Sequence, residues 1–337
     1  MQYREEKGFA NTPKQLYVEG LEGLIHRRQA ELGEARRART ADIFEHAEAH
    51  RAAFRKMLGW PLVGEAPRDI PNVKCELLAD EEGYTVSRMS IEVLPGLWMT
   101  GLLFKHKCEG KLPLVIVQHG GSGTPELISG VWGGTGNYND MLHRVLRQGV
   151  HVFAPQLLLW NQNHCAVPYD RIRMDARLKR VGSSVTAVEI FGITRALDWF
   201  AQTDFVKNFG MVGLSYGGFY TLFTTAVETR IRSAVSCSFF NTRDAYPWPD
   251  WTWQDAAALY DDAEVACLAY PRRLCLEIGT RDELFAAKGG ESSFARVREL
   301  CKTVGTDWIE LIEFDGKHEF CHDDRPLERL AADLKGE

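Results

Sequence analysis

The sequence predicts an α/β fold, a mostly parallel sheet flanked by helices, with a helical N-terminal extension in front of it. Three observations carry this. From Leu112 onward, continuous apolar runs recur as LPLVIVQ, VHVFAPQ, FGMVGLS, IRSAVSCS, RRLCLEIG and WIELIEF. Longer helix-compatible segments separate them, such as SSVTAVEIFGITRALDWFAQ over 183–202. Unbroken apolar strands spaced by helices mean strands buried on both faces, the signature of a parallel sheet covered by helices. The third observation is the stretch from Leu21 to Leu58, rich in Ala, Glu and Arg and free of proline, which precedes all of this.

In chain order, that first stretch places apolar residues at helical intervals (Leu21, Leu24, Ile43, Phe44, Ala47, Phe54, Leu58) and reads as one or two amphipathic helices. Gly59, Pro61, Gly64 and Pro67 end it. Short β-like runs follow at 73–78, 84–93 and 97–106, separated by acidic, glycine and Pro-Gly turn signals, so they form an antiparallel meander. The expected division is an extension over 1–70 and a catalytic domain over 71–337. Length suits this, because 337 residues bury one large core with an addition more readily than two equal ones.

Composition excludes several classes of partner. A hydrophobic share of 45% beside 26% charged residues is ordinary for a soluble domain. A net charge of -6 leaves no surplus of cations for nucleic-acid phosphates or an anionic membrane. The N-terminal residues lack an apolar signal-peptide core and no run approaches a membrane span, so a cytoplasmic address is the expectation. The eight cysteines are scattered, without a CxxC pair or zinc spacing, and read as reduced, mostly buried thiols; no metal is expected.

The sharpest local signal is Gly213-Leu214-Ser215-Tyr216-Gly217-Gly218, between an apolar strand and a helix-like run. An abrupt strand-to-helix turn holds its central residue in a strained conformation, and the positions two before and two after must be nearly free of side chain. Such a turn presents the Ser215 hydroxyl as a nucleophile, which at neutral pH needs an imidazole base held by a carboxylate. His318 stands on a glycine-containing loop just past the last strand, where catalytic groups collect in open α/β sheets. His322, among Asp323, Asp324 and Arg325, is the rival and reads better as a solvated helix start. Asp282, after the strand Arg273 to Ile278, is the expected acid, with Glu283 beside it and Glu277 within the strand as rivals.

An oxyanion needs two preorganised donors, each worth about 2.7 to 4 kcal/mol of transition-state stabilisation. One is expected from the amide of Tyr216 and the other from Gly120 or Gly121 in His119-Gly120-Gly121-Ser122-Gly123. The same loop lacks the Gly-Lys-Ser/Thr of a phosphate cradle. For substrate contact the candidates are Trp160, with Asn161, Gln162 and His164 after the second parallel strand, and Trp248 and Trp251 in the aromatic, proline-stiffened segment 245–253.

With these pieces placed, the chain resembles the α/β-hydrolase superfamily. HGGSG, GLSYGG, GTRDEL and GKHEF stand in that order, and coverage runs from about Val73 to the C-terminus. RALDWF before the nucleophile strand and the helical extension are similar to the branch holding acetyl xylan esterase-like and dienelactone hydrolase-like proteins. The resemblance implies an eight-stranded sheet, ester hydrolysis through an acyl-enzyme, and no cofactor. Serine rather than cysteine at position 215 favours the esterase side of that branch. The expectation is therefore a serine esterase acting on a small-molecule ester, short-acyl or carbohydrate-borne. The alternatives are a prolyl-oligopeptidase-like peptidase, for which about seventy leading residues are too few to build a propeller, and a non-catalytic binding module. The N-terminal helices suit either a cap over the site or the interface of a homo-oligomer.

Overall fold

The computed structural model describes residues 1–60, 69–159 and 169–336. Among these residues nine strands form one sheet: β1 Val73–Asp80, β2 Tyr84–Leu94, β3 Leu97–His106, β4 Leu112–Gln118, β5 His151–Pro155, β6 Val206–Leu214, β7 Ile231–Cys237, β8 Arg273–Gly279 and β9 Ile309–Phe314. Their order is β1-β2-β3-β5-β4-β6-β7-β8-β9. The first three form an antiparallel meander joined to β5, and from β5 to β9 all neighbours are parallel. The resemblance implies eight strands, whereas the six apolar runs and the three short β-like runs before them each form one. The additional strand is β1, an edge whose mostly exposed residues include Lys74 and Glu76, charges of the kind that discourage pairing with another chain.

Among the described residues eleven α-helices accompany the sheet: α1 Asn11–Arg39, α2 Ala47–Leu58, α3 Pro125–Ile128, α4 Met141–Leu146, α5 Arg171–Lys179, α6 Val185–Phe200, α7 Tyr216–Val227, α8 Ala256–Leu259, α9 Asp262–Cys267, α10 Ala287–Leu300 and α11 Arg325–Lys335. The central strands are buried almost end to end, as β4, β5 and β6 show. Each must therefore be apolar on both faces, which is why they read as runs rather than alternations. Helix α7 is buried at every residue, consistent with its sequence YGGFYTLFTTAV carrying no charge.

The extension divides into two unlike parts. Helix α2 turns Phe54 and Leu58 fully into the main core, Phe54 packing edge-on to Phe223 and Tyr260. It ends on Gly59, whose φ of 86° suits glycine, and a Cβ there would meet Ser183 Cα at 2.6 Å. Helix α1 behaves otherwise. It starts ten residues before the expected Leu21 and buries none of its residues; Leu21 and Leu24, expected on a packed face, are 45% and 55% exposed. Its basic end is what docks, with Arg36 donating to Ala257 O and pairing with Asp261 and Glu264.

Among the described residues, no helix is long and apolar enough to cross a membrane. Seven cysteines are free thiols there, five buried and two, Cys75 and Cys108, exposed. Cys165 lies outside the described residues.

Candidate functional site

The C-terminal ends of β4, β6, β8 and β9 lie along one edge of the sheet, and every predicted reactive residue sits there. Strands β4 and β6 are neighbours, although β5 intervenes in sequence, so the loops after them diverge from adjacent strands and open a crevice.

Ser215 follows β6 directly and has φ 60° and ψ −122°, a strained conformation for a residue with a side chain. Its amide donates to Cys237 O at 2.9 Å and its carbonyl accepts from Phe219 N at 2.9 Å, so the turn is held from both sides. The flanking glycines are required sterically. A Cβ on Gly213 would lie 2.2 Å from Gly217 O, and one on Gly217 would lie 2.1 Å from Gln118 O at the end of β4.

His318 and Asp282 meet. His318 Nδ1 and Asp282 Oδ2 are 2.9 Å apart, and the Asp282 side chain is fully buried. Asp282 Oδ1 accepts from the amides of Leu284 (2.8 Å) and Phe285 (2.9 Å), so one carboxylate both closes its own turn and holds the ring. With Nδ1 occupied, Nε2 is the nitrogen left to take a proton. The rivals are elsewhere: Glu283 is exposed, and the exposed His322 lies against Asn139 and Glu319.

Glu277 is buried within β8, among thiols rather than beside His318. Burial pushes its carboxyl from 4.5 up to about 7, and its Oε2 has no hydrogen-bond partner. A carboxyl whose folded pKa is raised costs the folded state nothing below about pH 4.5 and its full penalty above about pH 7. Glu277→Gln is therefore expected to match wild type near pH 4.5 and to be more stable at pH 8, by on the order of 3 kcal/mol. Urea midpoints at the two pH values check this, and a gap that does not change with pH would contradict it.

Ser215, Tyr216 and His318 line a cavity of about 280 Å³ together with Gly120, Gly121, Ser122, Asn137, Tyr138, Leu214, Leu127, Leu284 and Trp248. The two glycines are not equivalent. Gly120 N donates to Tyr138 Oη at 2.8 Å, so of the two expected donors only the Gly121 amide is left for a ligand. His119 braces this loop: its Nε2 accepts from Leu157 N (3.0 Å), which makes Nδ1 the donor to Gly120 O (2.9 Å). Burial lowers its pKa to about 4, consistent with the neutral ring those two bonds need.

The tryptophans separate. Trp248 lines the cavity, whereas Trp251 is fully buried and does not reach it, correcting the expectation of substrate contact. Its ring is enclosed by Tyr216 at 4.4 Å, Trp248 at 4.6 Å, Phe219 at 5.1 Å and Phe239 at 5.2 Å, so its apolar area is spent on the core. Trp160 lies outside the described residues.

Sequence reasoning missed the segment 135–140. Asn137 Nδ2 donates to His318 O at 2.9 Å, Asn137 O accepts from Phe320 N at 2.9 Å, and Asn139 Nδ2 donates to Phe320 O at 2.7 Å. This clamps the histidine loop against the glycine-rich loop through Tyr138. Asn139 and Asp140, both at positive φ, were the available signal, since Asn and Asp are the side-chain-bearing residues most tolerant of that region.

No family model matches the chain, and no curated protein matches it in sequence. Solved structures match it in shape. A provisionally assigned acetyl xylan esterase of Bacteroides fragilis NCTC 9343 superposes with a TM-score of 0.64 at 15% identity, over 80% of this chain and 74% of that one. A glucuronoyl esterase from Solibacter usitatus gives 0.61 at 13%, over 84% and 92%. Acetyl xylan esterase 1 from Thermoanaerobacterium sp. JW/SL YS485 gives 0.55 at 15%, over 85% and 94%. At these identities the likeness concerns the fold.

Proposed function

We propose that this chain, a protein of the α/β-hydrolase fold, is a serine esterase that cleaves a carboxylic ester through an acyl-enzyme. The observation that carries the reading is the Asp282–His318 hydrogen bond of 2.9 Å at the cavity that Ser215 also lines. His318 Nε2 takes the Ser215 proton as Oγ attacks the ester carbonyl. Asp282 keeps Nδ1 protonated and stabilises the imidazolium. The amides of Tyr216, at the first position of α7, and of Gly121 receive the oxyanion, aided by the positive end of that helix. The imidazolium then protonates the leaving alcohol. Water attacks the acyl-Ser215 by the same route in reverse, releasing the acid.

A cavity of about 280 Å³ is small for a ligand site, below the usual ~300–1,000 Å³, and favours a short acyl group. The Trp248 indole on its wall supplies a flat apolar face on which a sugar ring can stack. We take acetylated carbohydrate as the first substrate class to try, in keeping with the acetyl xylan and glucuronoyl esterases among the similar structures.

The test is hydrolysis of p-nitrophenyl esters from acetyl to octanoyl, together with labelling of the folded protein by a fluorophosphonate. Activity is expected to peak at acetyl and the label to map to Ser215. Failure to label Ser215 in folded protein would exclude the esterase reading in favour of a binding module.

A further inference from the structure

Behind the cavity wall, one guanidinium joins four separate parts of the chain. Arg171, in the first turn of α5, has a fully buried side chain. Its Nε donates to Asp250 Oδ2 at 2.8 Å, Nη1 to Leu158 O at 2.6 Å and Glu189 Oε2 at 3.1 Å, and Nη2 to Tyr220 Oη at 2.8 Å. Tyr220 Oη donates in turn to Glu189. Glu189 Oε1 accepts from Leu158 N at 2.8 Å, so both the amide and the carbonyl of Leu158 are fastened. Asp250 Oδ2 also accepts from Tyr216 Oη at 3.0 Å. Burial, reinforced by the facing Asp250 carboxylate, holds the Tyr216 phenol far above its usual range, so it stays protonated and donates.

The cation thus ties the segment after β5 and the short turn Pro249–Trp251 to α7. Two residues at these ties line the cavity, Tyr216 and Trp248, with ring centroids 6.0 Å apart and planes 15° apart. Trp248 precedes Asp250 by two residues, and the backbone of that turn is held again by Thr186 Oγ1 donating to Asp250 O at 3.2 Å.

A buried cation with two carboxylates is a poor way to gain stability. Removing the charges from water is expensive, and apolar residues of equal volume serve as well or better. Apolar packing does not hold a ring at one depth and rotation, whereas a planar fork with fixed donors does. We propose that Arg171 and Asp250 are specificity-determining positioning residues that hold the Tyr216–Trp248 wall at the depth admitting a short acyl group. The proposal rests on the esterase reading above.

The experiment compares wild type with Tyr216→Phe and Asp250→Asn, using p-nitrophenyl acetate and p-nitrophenyl octanoate on the same preparation. Tyr216→Phe keeps the ring and removes the hydroxyl that donates to Asp250. Asp250→Asn leaves Arg171 balanced by Glu189, so the buried set stays tolerable. The ratio of kcat/KM for the two esters does not depend on the folded fraction, so a purely structural role leaves it unmoved. In each variant the preference for acetate is expected to fall about fivefold or more, the effect of losing one hydrogen bond, with KM for acetate raised. A ratio within about twofold of wild type, whether or not Tm falls, would overturn the positioning role and leave the esterase reading standing, provided wild-type Ser215 still takes the phosphonate label. An unlabelled wild type would overturn both.

Discussion

Replacing Ser215 with alanine is expected to lower kcat on p-nitrophenyl acetate by on the order of 10⁶-fold, the usual consequence of removing the nucleophile from a cooperating triad. The protein should remain folded. Ser215 already sits at φ 60°, so alanine inherits the same backbone strain and adds no volume. Its amide bond to Cys237 O and the carbonyl bond from Phe219 N are main-chain contacts that the substitution leaves in place. Thermal unfolding of Ser215→Ala should therefore fall within a few degrees of wild type. Ser215→Gly should be equally inactive yet more stable, by about 1 kcal/mol, because glycine adopts positive φ without the penalty borne by a residue with a Cβ. Measured turnover within tenfold of wild type in the alanine variant would remove Ser215 from the mechanism. A drop in activity accompanied by loss of the folded baseline would not support it either, which is why the glycine variant belongs in the same experiment.

The second large effect is expected at Asp282→Asn, about 10⁴-fold in kcat with little change in fold. The reason lies in how the carboxylate is divided. Oδ1 is committed to the amides of Leu284 and Phe285, and Oδ2 to His318 Nδ1. An asparagine must keep its carbonyl oxygen toward the two amides, which directs its NH₂ at the histidine. Nδ1 then becomes the acceptor and Nε2 carries the proton, so the ring cannot take one from Ser215. The turn survives because its two bonds survive, and Phe285 still packs on the His318 ring at 5.6 Å. Steady-state kinetics and thermal unfolding together check this. A loss of less than about tenfold would mean that another group orients the ring, and Glu283 would have to be reconsidered despite its exposure.

Much of this site is legible in the chain because it is built from local rules. The glycine spacing around Ser215, an apolar strand before it and an uncharged helix after it dictate a strained turn at a strand end without reference to anything distant. The six apolar runs and three short β-like runs likewise yield nine strands, one more than the resemblance implies, since each run is a short-range pattern of its own. The placement of His318 and Asp282 just past strand ends follows from the parallel sheet. By itself, then, the sequence determined the fold class, the strained turn at Ser215 and the pair of loops that face it.

What only the tertiary structure decided are the choices among neighbours that differ by one residue or by the direction of a side chain. Asp282 and Glu283 are adjacent carboxylates past the same strand, and the two amides that donate to Asp282 Oδ1 separate them. Gly120 and Gly121 are indistinguishable until Tyr138, eighteen residues away from the first, occupies one amide. Trp248 and Trp251 belong to one aromatic segment, and the turn between them sends one to the cavity and the other into the core. Arg171 carried no signal, since its four partners come from four distant stretches of chain. The physical reason is common to all of these: periodicity and turn chemistry depend on adjacent residues, whereas hydrogen-bond partners and burial depend on which segments the folded sheet brings within about 3 Å of each other.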